Sequence, residues 1–179
     1  MSRFFLALIP PQHIFDYANQ VKQYFADHFN SRSALKSPPH ITLQPPFEWD
    51  ETNVNLLEQH LISFASHQKP VSVTLKQYGA FAPHVIYINV VKTSELLALQ
   101  ADLIIHMENL GICDPTAKTR PFTPHMTVAF RDLTKPNFKI AWQQFENRQV
   151  DFEFIADNIS LLLHDGKRWN VSSQFYIGL

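Results

Sequence analysis

The chain has 179 residues, 45% of them apolar, and a formal net charge of −1, which is the size of one domain with enough apolar mass for a sizeable core. Fifteen Phe and a 13% aromatic share exclude a disordered chain. The near-zero charge makes the chain a poor candidate for gripping a long duplex, which needs many cationic contacts, while leaving room for a nucleotide or a strand end in a local basic pocket.

Phe4 to Ile9 is continuously apolar and ends at Pro10-Pro11, the pattern of a central strand buried on both faces. The run is too short for a signal peptide or a membrane span, so a soluble, cytoplasmic protein is expected. Pro11 suits the first turn of a helix whose inner face carries Ile14, Ala18, Val21, Phe25 and Phe29. Asn30 to Pro39 reads as a loop, and His40 to Leu43 as a short strand closed by Pro45-Pro46. A second helix is predicted over Asn53 to Ser66. Val71, Val73 and Leu75 alternate with polar residues as in a half-buried strand, and Val85 to Val91 pairs with it around Gly79 to His84. Thr93 or Ser94 caps a third helix, which Gly111 ends. The single cysteine, Cys113, is expected as a small buried hydrophobe after that helix, and one cysteine allows neither an intrachain disulfide nor a Cys-rich zinc site.

Residues 112 to 124 hold Pro115, Pro121 and Pro124 and read as a loop leading into a strand from His125 to Phe130. A short helix is predicted over Pro136 to Glu146. Two closing strands follow, the last pair turning at Asp165-Gly166. Hairpins mixed with helices favour an α+β architecture, and four glycines in all leave no glycine-rich phosphate loop.

Two segments echo each other, Pro39-His40-Ile41-Thr42-Leu43 and Pro124-His125-Met126-Thr127-Val128. Each follows a proline-containing loop and opens a predicted strand, one in each half of the chain. Strand residues two apart point the same way, so His40 projects with Thr42 and His125 with Thr127, while the apolar members face the core. If the two strands are neighbours, two imidazoles and two hydroxyls line one cleft. Imidazole, with an unperturbed pKa near ~6.5, serves as base or acid at neutral pH, and threonine hydroxyls donate to phosphoryl oxygens. That set suits phosphoryl transfer without a metal or other cofactor.

The paired tetrapeptides resemble the signature of the two-histidine (2H) phosphoesterase superfamily, which includes the 2'-5' RNA ligase-like proteins. The resemblance implies a bilobal α+β fold spanning residues 1–179, with two antiparallel sheets and flanking helices around a central cleft on a pseudo-two-fold axis. It implies His40 and His125 as the acid-base pair, Thr42 and Thr127 as phosphate ligands, and no metal. The implied substrate is a 2',3'-cyclic phosphate or a 2'-5' phosphodiester of a nucleotide or RNA end. Two rival readings are a binding module using the same cleft and RNA 2'-5' ligation. In the bacterial RNA cyclic phosphodiesterase branch an arginine often stands five residues after the second histidine. Here Phe130 holds that position, and Arg131 follows, on the face of His125 if the strand continues. Gln44-Pro45-Pro46-Phe47 after the first motif looks more like the less characterised 2'-5' RNA ligase-like branch.

Phe47, Phe81 and Phe122 lie near the motifs as candidate base-stacking residues. Lys36, Lys118 and Arg120 are nearby cations. Asp165 next to His164 is read as a turn residue, because adjacent strand residues face opposite ways. No partner protein is implied, and a monomer is the default.

Overall fold

The computed structural model describes residues 1–114, 116 and 119–179. Its elements are β1 (Ser2–Leu8), α1 (Gln12–Phe29), β2 (Ile41–Trp49), α2 (Val54–Ser66), β3 (Val71–Phe81), β4 (Val85–Val90), α3 (Ser94–Asn109), β5 (His125–Ala129), α4 (Lys135–Phe145), β6 (Asp151–Ala156), β7 (Asn158–His164) and β8 (Trp169–Tyr176). They form two four-stranded antiparallel sheets, ordered β2-β1-β7-β8 and β5-β4-β3-β6. The α+β architecture with two antiparallel sheets is the one expected.

The unit strand, helix, edge strand occurs twice. β1-α1-β2 builds one side of the first sheet and β4-α3-β5 the matching side of the second. β2 and β5 are both edges, and they run close to each other. The two histidine motifs open these two edge strands, so the topology delivers them to one place.

β1 is buried on both faces, as its apolar run implies, but the faces differ. Phe4, Leu6 and Leu8 enter the main core with the inner face of α1, from Ile14 to Phe29. Phe5 and Ala7 point the other way, into a small cluster with Leu162. Burying each large apolar side chain contributes ~1.5–3 kcal/mol, so the core face holds the sheet to its helices. α3 is capped at Thr93, whose Oγ1 accepts from the Leu96 N–H at 3.2 Å. It ends with Gly111 at φ 79° and bonds from Ile112 N–H to Met107 and from Gly111 N–H to Glu108.

Four expectations need correction. β2 does not stop at Pro45-Pro46 but runs to Trp49. It is an edge strand with a register shift opposite Phe5, where missing N–H groups break no ladder. β5 ends at Ala129, because Arg131 takes φ 62° and turns the chain away. Cys113 is exposed; Ile112, beside it, takes the buried position. The 30–39 loop contains a 3-10 turn at Ser33–Lys36. No helix among the described residues is long and apolar enough to cross a membrane.

Candidate active site

His40 and His125 are held by the same local device. Nδ1 of His40 lies 2.7 Å from the Pro38 carbonyl, and Nδ1 of His125 lies 2.7 Å from the Thr123 carbonyl, each two residues back. A carbonyl oxygen only accepts, so Nδ1 carries the hydrogen in both rings and Nε2 is left for a ligand. The burial alternation is also the same. Pro39, Ile41 and Leu43 are buried and His40 and Thr42 half-buried; Pro124, Met126 and Val128 are buried and His125 and Thr127 half-buried. The proline before each histidine keeps the chain extended as it enters the strand.

Aromatic rings brace both imidazoles. The Phe5 ring sits 4.8 Å from His40. Phe81 meets His125 edge-on at 5.1 Å, and Tyr87 lies 5.2 Å from it. Tyr87 is directly opposite both Gly79 on β3 and Thr127 on β5. A Cβ on Gly79 would overlap the Tyr87 ring, so glycine is required there for the ring to lie against β3 beside His125.

The cleft has two chambers that meet at Thr42, which lines both. The larger, about 850 Å³, contains His125 and is walled by apolar side chains including Leu43, Phe81, Ile104, Ile105 and Phe122. The smaller, about 210 Å³, contains His40 with Arg3, Lys36, Arg131, His164 and Trp169. The structure therefore brings together His40, Thr42, His125, Arg131 and Phe122 around one cleft. Thr127 shares the β5 face of His125 but lines neither chamber.

Phe47 is a correction: it stacks on Phe4 at 6.2 Å and lines neither chamber, whereas Phe81 and Phe122 line the larger one. Arg131 reaches the chamber of His40 through the turn after β5, not through strand parity with His125. Arg120 lines the larger chamber, and Lys118 lies outside the described residues. Asp165 has the expected turn role, accepting from the N–H groups of Lys167 and Arg168 at 2.8 Å.

Arg3, Phe5, Tyr87 and Trp169 belong to neither motif, and motif reading misses them. Arg3 and Phe5 had a signal in the two-residue period of β1, masked by the apolar run. Trp169 enters the cleft across the β7-β8 hairpin, against Phe5 at 4.7 Å and His164 at 4.8 Å.

Burial lowers the His40 imidazole from 6.5 to about 4; the bond to the Pro38 carbonyl opposes this, while Lys22 and His125 push it down further. Burial also holds His125 below its ordinary value, again opposed by its carbonyl bond. Lys22, 1% exposed on α1, is pushed down to about 7 by burial and donates to the Ser37 carbonyl at 2.9 Å. Among the described residues no group of three or more His, Cys, Asp or Glu is placed to hold a metal ion.

The sequence pattern of the 2'-5' RNA ligase superfamily matches residues 10–168. A Staphylococcus epidermidis protein provisionally named a phosphoesterase is 31% identical over 97% of this chain and 98% of its own. Among solved structures, TT0787 of Thermus thermophilus superposes with a TM-score of 0.74 at 20% identity, covering 98% of both chains. Escherichia coli LigT complexed with 3'-AMP does so with a TM-score of 0.61 at 17% identity, covering 99% of both.

Proposed function

The chain belongs to the 2'-5' RNA ligase superfamily and is a phosphoesterase, and we propose that it cleaves 2',3'-cyclic phosphates or 2'-5' phosphodiesters of nucleotides or RNA ends, with His40 and His125 as its acid-base pair. The observation that carries this reading is the duplicated clamp, in which each Nδ1–H is tied to a carbonyl so that each Nε2 can face one phosphate.

Cleavage of a cyclic phosphate is then an in-line displacement. One neutral Nε2 takes a proton from water as its oxygen bonds to phosphorus. The other, protonated, gives its proton to the departing ribose oxygen. The product is a nucleoside 2'- or 3'-phosphate, and the two histidines end with their protonation exchanged. Thr42, at the junction of the chambers, and Thr127, on the β5 face of His125, donate hydrogen bonds to the non-bridging oxygens where charge develops. Arg131 adds positive charge on the His40 side. Phe81 and Phe122 offer the nucleobase an apolar wall in the larger chamber. With a 5'-hydroxyl in place of water as the nucleophile and the ribose 3'-oxygen leaving, the same acid-base exchange makes a 2'-5' linkage, which is ligation. Both proton transfers are assigned to side chains of this protein, so no step calls for a metal.

The test is hydrolysis of a panel of 2',3'-cyclic mononucleotides and 2'-5' linked dinucleotides by purified protein in excess EDTA. Turnover of at least one class is expected. A protein that cleaves none of them in EDTA, with or without added divalent metal, overturns the substrate assignment; activity restored only by metal overturns the metal-free mechanism.

A further inference from the structure

Resting on that reading of the cleft, we propose that the small chamber beside His40 is a second anion subsite, so that the preferred ligand carries another phosphate beyond the one held between the histidines.

Three cations from separate parts of the chain converge on this chamber: Arg3 from β1, Lys36 from the 3-10 turn and Arg131 from the turn after β5. Among the described residues no Asp or Glu lines it, although the whole chain has 16 acidic against 15 basic residues. Among the described residues no ion pair joins any of the three to a carboxylate, and Glu48, opposite Arg3 across the β1-β2 ladder, does not line the chamber. Arg3 lies over the Trp169 ring at 5.5 Å and Arg131 over Phe130 at 5.1 Å. The larger chamber differs, with Glu108 and Asp114 beside Arg120 in its lining. Like charges gathered at one small cavity repel one another until an anion enters.

The walls of the chamber are fixed in advance. The Asp132 carboxylate accepts from Ser31 Oγ at 2.9 Å and from the N–H groups of Arg32 at 2.7 Å and Ser33 at 2.9 Å. This ties the turn carrying Arg131 to the segment carrying Lys36. Lys22, through the Ser37 carbonyl, holds the far end of that segment. Arg131 keeps φ 62°, a backbone region that side chains rarely adopt, which indicates that its direction is imposed.

Size assigns the contents. At about 210 Å³ the chamber is below the usual range for an organic ligand, whereas about 850 Å³ accommodates a nucleoside. Thr42 lies at their junction, where a phosphate can meet both imidazoles. The base therefore lies in the larger chamber with its ribose near the junction, the reacting phosphate on the 2'/3' side between the imidazoles and the second phosphate on the 5' oxygen in the small chamber. The second phosphate is either a terminal monoester or the next diester of an RNA strand.

Calorimetric binding separates these without needing turnover. The probes are adenosine 3'-monophosphate, adenosine 3',5'-bisphosphate, and the adenylyl dinucleotide bearing a 3'-phosphate. At least one ligand with a second phosphate should bind about tenfold or more tighter than the monophosphate, as expected for new charge-assisted hydrogen bonds. That preference should weaken with salt and collapse toward parity in the R3Q/K36Q variant. A tighter bisphosphate identifies a monoester, and a tighter dinucleotide a strand. Equal binding of all three, or a preference that survives in R3Q/K36Q, overturns the subsite. Monophosphate binding with no preference would leave the proposed activity standing. A subsite that works in a protein with no turnover would separate the two ideas the other way.

Discussion

Replacing His40 or His125 by alanine is expected to lower kcat/KM on a cleaved 2',3'-cyclic nucleotide by about 10²–10⁴ each, the usual worth of a positioned acid or base. The two effects should not add. Both histidines serve one displacement, so losing either forces the reaction onto water, and H40A/H125A should be little worse than the poorer single variant. The imidazoles are half-buried and touch the chain mainly through one carbonyl each and aromatic neighbours, Phe5 for His40 and Phe81 and Tyr87 for His125, so the variants should keep the circular-dichroism spectrum of the parent. Near-parental turnover in either folded single variant would remove that histidine from the mechanism. Two fully additive losses would show that they act in separate steps.

Thr42→Val should cost about 10²–10³ in kcat, the range for deleting one donor to a developing oxyanion. Valine keeps the branched shape, so the packing against Ala7 across the β1-β2 ladder is preserved and only the hydroxyl is lost. The loss should appear in kcat more than in KM, because charge on the non-bridging oxygens grows in the transition state. Thr127→Val should cost less than Thr42→Val, since Thr127 stands beside its own histidine on β5 but lines neither chamber. A Thr42→Val protein with unchanged kcat and raised KM would make the hydroxyl a ground-state contact only.

Much of this site is written locally. Pro-His-apolar-Thr-apolar sets strand parity, and parity sends each histidine with its threonine to one face; both motifs show the same alternation of buried and half-buried residues. Helix faces were legible for the same reason, with Ile14, Ala18, Val21, Phe25 and Phe29 all in the core. What could not be read was whatever depended on the sheet order. Arg3, Phe5 and Trp169 reach the cleft because β1 lies between β2 and β7, and β8 beyond them. Lys22 sits on the buried side of an amphipathic helix, where a charge is not expected, and its reason is a distant carbonyl at Ser37. Pro45-Pro46 read as a strand end because the edge position that tolerates them was unknown. Phe47 looked like a cleft residue from its place after the motif, but the register shift in β2 sets it against Phe4. Arg131 joined the His40 chamber through a backbone reversal that no periodicity signals.

The most direct measurement of the central claim is an NMR titration of the histidine rings, with His40→Ala and His125→Ala assigning the two signals, in the absence and presence of adenosine 3'-monophosphate. In the free protein both rings should titrate below 6.5, with His40 near 4, because burial disfavours the imidazolium. Both are then neutral at pH 7. A phosphate between the two Nε2 atoms favours the charged form of each, so nucleotide should raise both titrations together. Upward shifts of both rings are expected. A nucleotide that binds and moves only one ring, or neither, would contradict the claim that the two histidines act on one phosphate.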